Sequence, residues 1–321
     1  MHKRYVNHCT ISFTLKPDGP VLIKSGKQGA DPSKPDMEFV ETYHQGGRTV
    51  YFPGSSLKGA IRAHAERIVR TVGSDKRPEG ETFKLWASDP LDQKANQWLE
   101  KIKESHRVYA LSSFTDQMFG NTAIASRIRI EDAYPKPGDP LKLEERNGVA
   151  IDRIFGSVAV GPFNYQVCVE GSFQTKIHLK NFTLAQLGLI GLVLRDLDDG
   201  WFGIGFAKSR GMGTVAVELD SAVVHYPGCT VNEQIELLGS GLSFPKNRLL
   251  GVGEFLDDAE AKKYGFPKPD SQEIPIAAEP MELGFGAQIT YAQGANADVK
   301  NLFSSAVKSW SKLLQQGAKA S

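Results

Sequence analysis

The sequence predicts an α+β fold, and three observations predict it. Residues 56–72 and 183–197 carry apolar side chains at helical spacing. Residues 5–16, 126–134 and 213–219 alternate apolar and polar positions as strands do. Residues 141–179 alternate as well, with Gly156, Gly161 and Pro162 near the middle, as in one long hairpin. The order strand, helix, strand, hairpin, helix, strand fits a ferredoxin-like core with loop insertions.

Each element has a local reason. "YVNHCTISFTLK" alternates up to the turn Pro17-Asp18-Gly19-Pro20, and "VLIK" resumes the strand. Residues 25–37 are rich in Gly, Pro, Ser and Asp and read as a loop. "TVYF" leads into a helix whose stripe is Leu57, Ile61, Ala65, Ile68 and Val72, with Ser55 or Ser56 where an N-cap belongs. Residues 73–105 are polar and peripheral, and "TLAQLGLIGLVLRDL" is a second, mostly buried helix. Beyond residue 220 the character changes. Residues 261–280 are Pro-rich, 282–292 read as a strand, and 297–317 as a terminal helix. We divide the chain into a core at 1–220 and a C-terminal extension at 221–321, expected to make subunit contacts or an accessory lobe.

With 38 basic against 37 acidic residues the formal net charge is +1, which excludes a protein uniformly coated in base but not local basic stripes. Cys9, Cys168 and Cys229 lie far apart without metal-ligand spacing and read as reduced, buried thiols. The first residues lack an apolar signal core, and the longest apolar runs are short of a membrane span. A cytoplasmic protein with no membrane partner is expected.

Four stretches carry chemistry. The first, "FPGSSLKGAIR", puts two hydroxyls, Ser55 and Ser56, at a helix start, with Lys58 and Arg62 four apart as a basic edge. A helix start attracts phosphate, although serine-led basic helices are also common. The second, "GWFGIGFAKSRGMGTV", sets Lys208, Ser209 and Arg210 between glycines. It matches neither standard phosphate loop: Lys208 occupies the last glycine position of one pattern, and Ala207 precedes Lys208-Ser209 in the other. The third, "QMFGNTAIASRIRIEDAY", puts Arg127 and Arg129 on one strand face. The fourth is the 141–179 hairpin, with Glu144, Glu145, Arg146, Asp152 and Arg153.

Together these stretches resemble the RAMP superfamily of CRISPR proteins, and more narrowly the single-RAMP backbone subunit of type III effector complexes. The resemblance rests on Pro53-Gly54-Ser55-Ser56-Leu57-Lys58-Gly59 with Arg62. Met118-Phe119-Gly120, Ser126-Arg127, Glu131-Asp132-Ala133, Ile151-Asp152-Arg153 and the run from Gly203 to Gly213 follow in the family's order, over roughly residues 5–220. It implies a modified RRM-like fold that binds CRISPR RNA through its backbone and packs with like subunits. Ser55, Ser56, Lys58, Arg62, Arg127, Arg153, Lys208, Ser209 and Arg210 would contact RNA. The hairpin would act as a thumb, with Ile151, Ile154, Phe155 and Val158 against exposed bases. The partners implied are CRISPR RNA, single-stranded target RNA and other effector subunits.

The resemblance also implies target-RNA cleavage by an aspartate in the loop before "PGSSLKG". Asp36, followed by Met37-Glu38-Phe39-Val40, fits that place better than Asp31. The Asp36 carboxylate would then help either by binding a divalent cation, Mg or Mn, that stabilises phosphate charge, or by orienting the sugar. Two features depart from the family pattern. Leu22 stands where relatives often carry a histidine, and Gly148-Val149 replaces the acidic–asparagine step before Ile-Asp-Arg. His8, His44, His64 and His178 show no paired signal in sequence. A non-catalytic scaffold of the same complex, or a CRISPR RNA-processing endoribonuclease, are the alternative readings.

Overall fold

The computed structural model describes residues 4–26, 35–77, 85–89, 92, 96–292 and 298–319, with side chains through residue 313. Strand β1 (His8–Pro17) is followed by a small hairpin, β2 (Glu41–His44) and β3 (Gly47–Val50), and by helix α1 (Gly54–Val72). Short helices α2 (Ser105–Leu111) and α3 (Asp116–Phe119) precede β4 (Ile128–Ile130) and β5 (Tyr134–Pro135). A long hairpin, β6 (Lys142–Ile151) and β7 (Val158–Glu170), leads to β8 (Phe173–Lys180), α4 (Leu184–Asp198) and β9 (Val215–Tyr226). Short strands β10 (Cys229–Val231), β11 (Gln234–Leu237), β12 (Ser243–Pro245) and β13 (Arg248–Leu250) come next. The chain closes with α5 (Asp258–Tyr264), β14 (Ser271–Glu273), β15 (Glu279–Pro280), β16 (Ala287–Ala292) and α6 (Val299–Lys319).

The central antiparallel sheet has the order β15-β16-β9-β1-β8-β4, with β5 also paired to β8. Alternation sets its two faces. Cys9, Ile11, Phe13 and Leu15 of β1 are buried, while His8, Thr10 and Ser12 point to the other, less covered face. Helix α1 buries Leu57, Ile61, Ala65 and Val69, a stripe of four-residue steps. Helix α4 is buried on nearly every side and starts in a capping box, Thr183 with Gln186.

The hairpin differs from its expected extent. It ends at Glu170, and β8 belongs to the central sheet, where it pairs with β1 and β4. The physical reason is burial. Phe173, Ile177 and Leu179 of β8 are fully buried, whereas most of β6 and the distal half of β7 are exposed.

The boundary drawn at 220 falls inside β9, and β16 adds to the sheet through β9. Helix α6 then lies against α4. Gly188 and Gly191 make this approach possible, because a side chain at either position would meet Ala306 and Val307 or the Phe303 ring. Residues beyond 220 therefore complete the core and are not a separate lobe.

Asp270 anchors this C-terminal part. Its carboxylate accepts the Leu184 N–H at the start of α4 (3.1 Å), and its own N–H donates to Glu254 Oε1 (2.6 Å). Burial pushes its pKa up to about 7. An unfolded aspartate titrates near 3.9, so this group favours the folded state below about pH 4 and loses that contribution as pH rises to 7. Thermal unfolding should show it: between pH 4 and 7 the wild-type Tm falls relative to that of Asp270→Asn. Parallel curves for the two proteins would contradict the assignment.

Candidate nucleic-acid interface

The "PGSSLKG" segment turns sharply from β3 onto the edge of the sheet. Phe52 bridges Ala133 through both backbone hydrogen bonds (2.9 and 2.8 Å), and α1 begins two residues later. Gly54 lies directly on the Ile130 carbonyl, where any Cβ would collide with backbone. Its N–H donates to Asp132 Oδ1 (2.7 Å). Pro53 is the N-cap residue, without a capping side chain. Ser55 and Ser56 are therefore not the cap; they are exposed on the first helical turn. A helix start with two exposed hydroxyls can donate to a phosphate.

The basic edge expected beside it is largely used by the protein. Lys58 Nζ donates to Ser126 Oγ (2.8 Å), and burial, with the Arg62 guanidinium nearby, pulls its pKa below the usual lysine value. Arg62 turns inward. Its Nε meets Glu66 Oε1 (2.7 Å), and its terminal nitrogens meet the Gly120 carbonyl (2.9 Å) and Asp116 Oδ1 (2.8 Å). Asp116 is fully buried and also accepts from Ser88 Oγ (2.9 Å). Arg62 is thus a clamp between α1 and α3 and not the phosphate contact expected from sequence.

Arg127 is corrected in the same way. The sequence puts it on one strand face with Arg129, but β4 begins only at Ile128, and Tyr109 and Phe266 cover Arg127. It is 3 % exposed and donates to Tyr109 Oη (2.9 Å) and the Asn181 carbonyl (2.8 Å). Arg129, by contrast, stays exposed.

The Gly-rich loop has the exposed cations. Lys208–Arg210 is a short 3-10 turn, exposed throughout, with Arg210 stacked 5.0 Å over the Phe206 ring. Two glycines fix its path. Gly205 (φ +78°) presses on the Leu22 carbonyl and Gly213 (φ +89°) on that of Ile204, so neither tolerates a side chain. Leu22, at the position where a histidine was sought, is core. The loop meets α1 through Phe202, stacked 4.2 Å from the His64 ring, and His64 Nε2 pairs with Asp196 Oδ2 (2.7 Å) in α4.

The β6–β7 hairpin carries Arg153, Ile151, Ile154, Phe155 and Val158 at its exposed tip, with Ile154 and Phe155 each 83 % exposed. Asp152 builds the tip turn: its Oδ1 accepts the N–H groups of Ile154 and Phe155 (both 2.8 Å). Glu144 and Arg146 are spent in a ladder with Lys142.

Asp36 is exposed, and its Oδ2 accepts the Asn164 N–H (2.9 Å) of β7. Met37 continues the contact, donating to Asn164 O (3.1 Å) and accepting from Gln166 N (3.0 Å). Asp36 is thereby docked on the hairpin well below its tip. Among the described residues no group of three or more His, Cys, Asp or Glu is placed to hold a metal ion. Asp31 lies outside the described residues.

One grouping was not legible in the sequence. His8, His178 and His225 come from β1, β8 and β9, yet sheet pairing sets the first ring 5.6 and 5.9 Å from the other two. The only local signal is that each occupies the polar phase of its strand.

The division between structural and surface cations is testable by thermal unfolding. Arg62→Ala leaves Asp116 buried without its partner and should cost about 3–5 kcal/mol. Lys208→Ala with Arg210→Ala should stay within about 0.5 kcal/mol of wild type.

The exposed features of these stretches are a helix start with two hydroxyls, a loop presenting cations and a projecting hairpin tip. No curated protein matches the chain. The family model described as the RAMP superfamily matches residues 14–216, more than half of the chain. No helix among the described residues is long and apolar enough to cross a membrane. The chain belongs to the RAMP superfamily, a family of CRISPR-associated RNA-binding proteins.

Proposed function

We propose that the chain is the backbone subunit of a type III CRISPR effector complex, binding CRISPR RNA and cleaving complementary target RNA. The observation that carries this reading is the hairpin tip. A hairpin held only by its own pairing does not need Ile154 and Phe155 in water, but a wedge against nucleobases does. The strand order β9-β1-β8-β4, with α1 and α4 as its crossovers, supports a ferredoxin-like, RRM-type core beneath it.

In this reading Ser55, Ser56, Lys208, Ser209 and Arg210 hold guide phosphates and riboses. Such contacts fix register without reading sequence, as a protein that carries many guides requires. Lys58 contributes field more than contact, since its ammonium is tied to Ser126, just before β4. Asp36 is the catalytic candidate. Six residues of extended β7 separate Asn164 from Val158, so Asp36 lies roughly 20 Å from the tip of its own hairpin. That separation supports an arrangement in which one subunit's tip exposes a nucleotide to the Asp36 of a neighbour.

Among the described residues no group of three or more potential ligands gathers around Asp36 as a protein cage for a metal. A Mg or Mn ion would have to be shared between Asp36 and RNA phosphate oxygens, where it would stabilise charge on the phosphate. The docking of Asp36 on Asn164 also suits a non-catalytic scaffold, in which this carboxylate only fastens the loop to the hairpin.

Assembled complex carrying Asp36→Ala distinguishes the two. Catalysis predicts guide and target binding retained and target cleavage lost, with wild-type cleavage abolished by EDTA. Undiminished cleavage by the variant supports the scaffold. For the grip, Lys208→Ala with Arg210→Ala should weaken guide binding and reduce the slope of log K against log salt by about 1–2. An unchanged slope removes the loop from the RNA interface.

A further inference from the structure

The less covered face of the central sheet holds a cleft of about 610 Å³ near the start of β1, lined by Tyr5, His8, Thr10, Arg129, His178 and Lys180, among others. Among the described residues no carboxylate lines it. Glu131 stands behind the lining, where its Oε1 meets His178 Nε2 (2.8 Å) and Arg129 (3.1 Å). His178 is fixed on its other side by Thr10 Oγ1 (3.2 Å). His8 lies within 6 Å of three rings, those of Tyr5, His178 and His225, and opposite Lys180 in the sheet register. Burial first, and then His178, His225, Arg129 and Lys180, hold its pKa at about 4. One carboxylate, Glu131, is shared between Arg129 and His178, against Arg127, Arg129 and Lys180 in the lining, so the cleft keeps an excess of positive charge. An anion seated in it would reverse the repulsion and make a protonated His8 favourable.

We propose that this cleft is a second phosphate-binding site, which seats a phosphodiester of single-stranded RNA and takes up a proton on His8 as it fills. It adjoins the α1 start: Lys58 reaches Ser126 Oγ (2.8 Å), at the edge of the cleft, from the helix side, while Arg129 is exposed on the strand. The sign follows from the geometry. RNA favours charged His8, so affinity rises as pH falls, whereas lysine and arginine contacts elsewhere do not titrate between pH 5 and 8. Only the identity of the strand rests on the RNA-binding reading; the pocket itself can be tested with inorganic phosphate.

Histidine ring NMR on the full chain reads the site directly. Adding inorganic phosphate, or in a separate arm a fluorescein-labelled ten-nucleotide oligouridylate, should raise the His8 titration midpoint by about two pH units. A response to both identifies a general phosphate pocket, and a response to the oligonucleotide alone identifies a diester site. By anisotropy the oligonucleotide should bind three- to tenfold more tightly at pH 5.5 than at pH 8. His8→Phe should remove that difference, while Lys208→Ala with Arg210→Ala lowers affinity at both pH values and keeps it. A His8 midpoint that neither ligand moves overturns the proposal, whatever becomes of guide binding or target cleavage.

Discussion

The seat of Gly54 on the edge of the central sheet is the constraint on which the rest of the surface depends. A glycine is required because the Ile130 carbonyl occupies the space of a Cβ, and Asp132 takes the N–H that the helix start leaves unpaired. With that residue fixed, α1 leaves the sheet at one angle. Ser55 and Ser56 then face outward, and Leu57, Ile61 and Ala65 face the core. Arg62 locks the angle two turns later by closing on Asp116. The same helix carries His64, whose pairing with Asp196 and stacking on Phe202 tie it to α4 and to the Gly-rich loop. Two separate surface features, the helix start and the cationic loop, are thus held by one helix.

The charges divide by burial. Arg62, Arg127 and, in part, Lys58 are anchored in the protein, where burial makes a partner obligatory. Lys208, Arg210 and Arg153 remain exposed and can meet a polyanion. The C-terminal residues act at a distance through the core. Helix α6 packs against the glycines of α4, and Asp270 fastens the start of α4, the helix from which the Gly-rich loop follows.

Much of the fold was legible in the sequence because periodicity reports it. The stripes of α1 and α4 and the alternation of β1 and β9 predicted the elements that form. The exposed tip, Ile151 to Val158, was legible because a turn separates two alternating arms. What periodicity cannot report is which neighbour covers a side chain. Arg127 and Arg129 share a strand phase, and only the packing of Tyr109 and Phe266 separates buried from exposed. Arg62 and Asp116 are far apart in sequence, as are His8, His178 and His225, so their meeting is a property of topology. The boundary at 220 failed for a similar reason: β16 pairs with β9 across a long excursion that gives no local sign of return.

The central claim is that α1's first turn, the Gly-rich loop and the hairpin tip form one RNA-facing surface. Hydrogen exchange with and without bound single-stranded RNA tests it most directly. The account predicts slowed exchange at the amides of 54–57, 205–213 and 151–158, with the α4 core unchanged. Protection that leaves all three segments at their free rates, or that falls on the C-terminal strands instead, would contradict it.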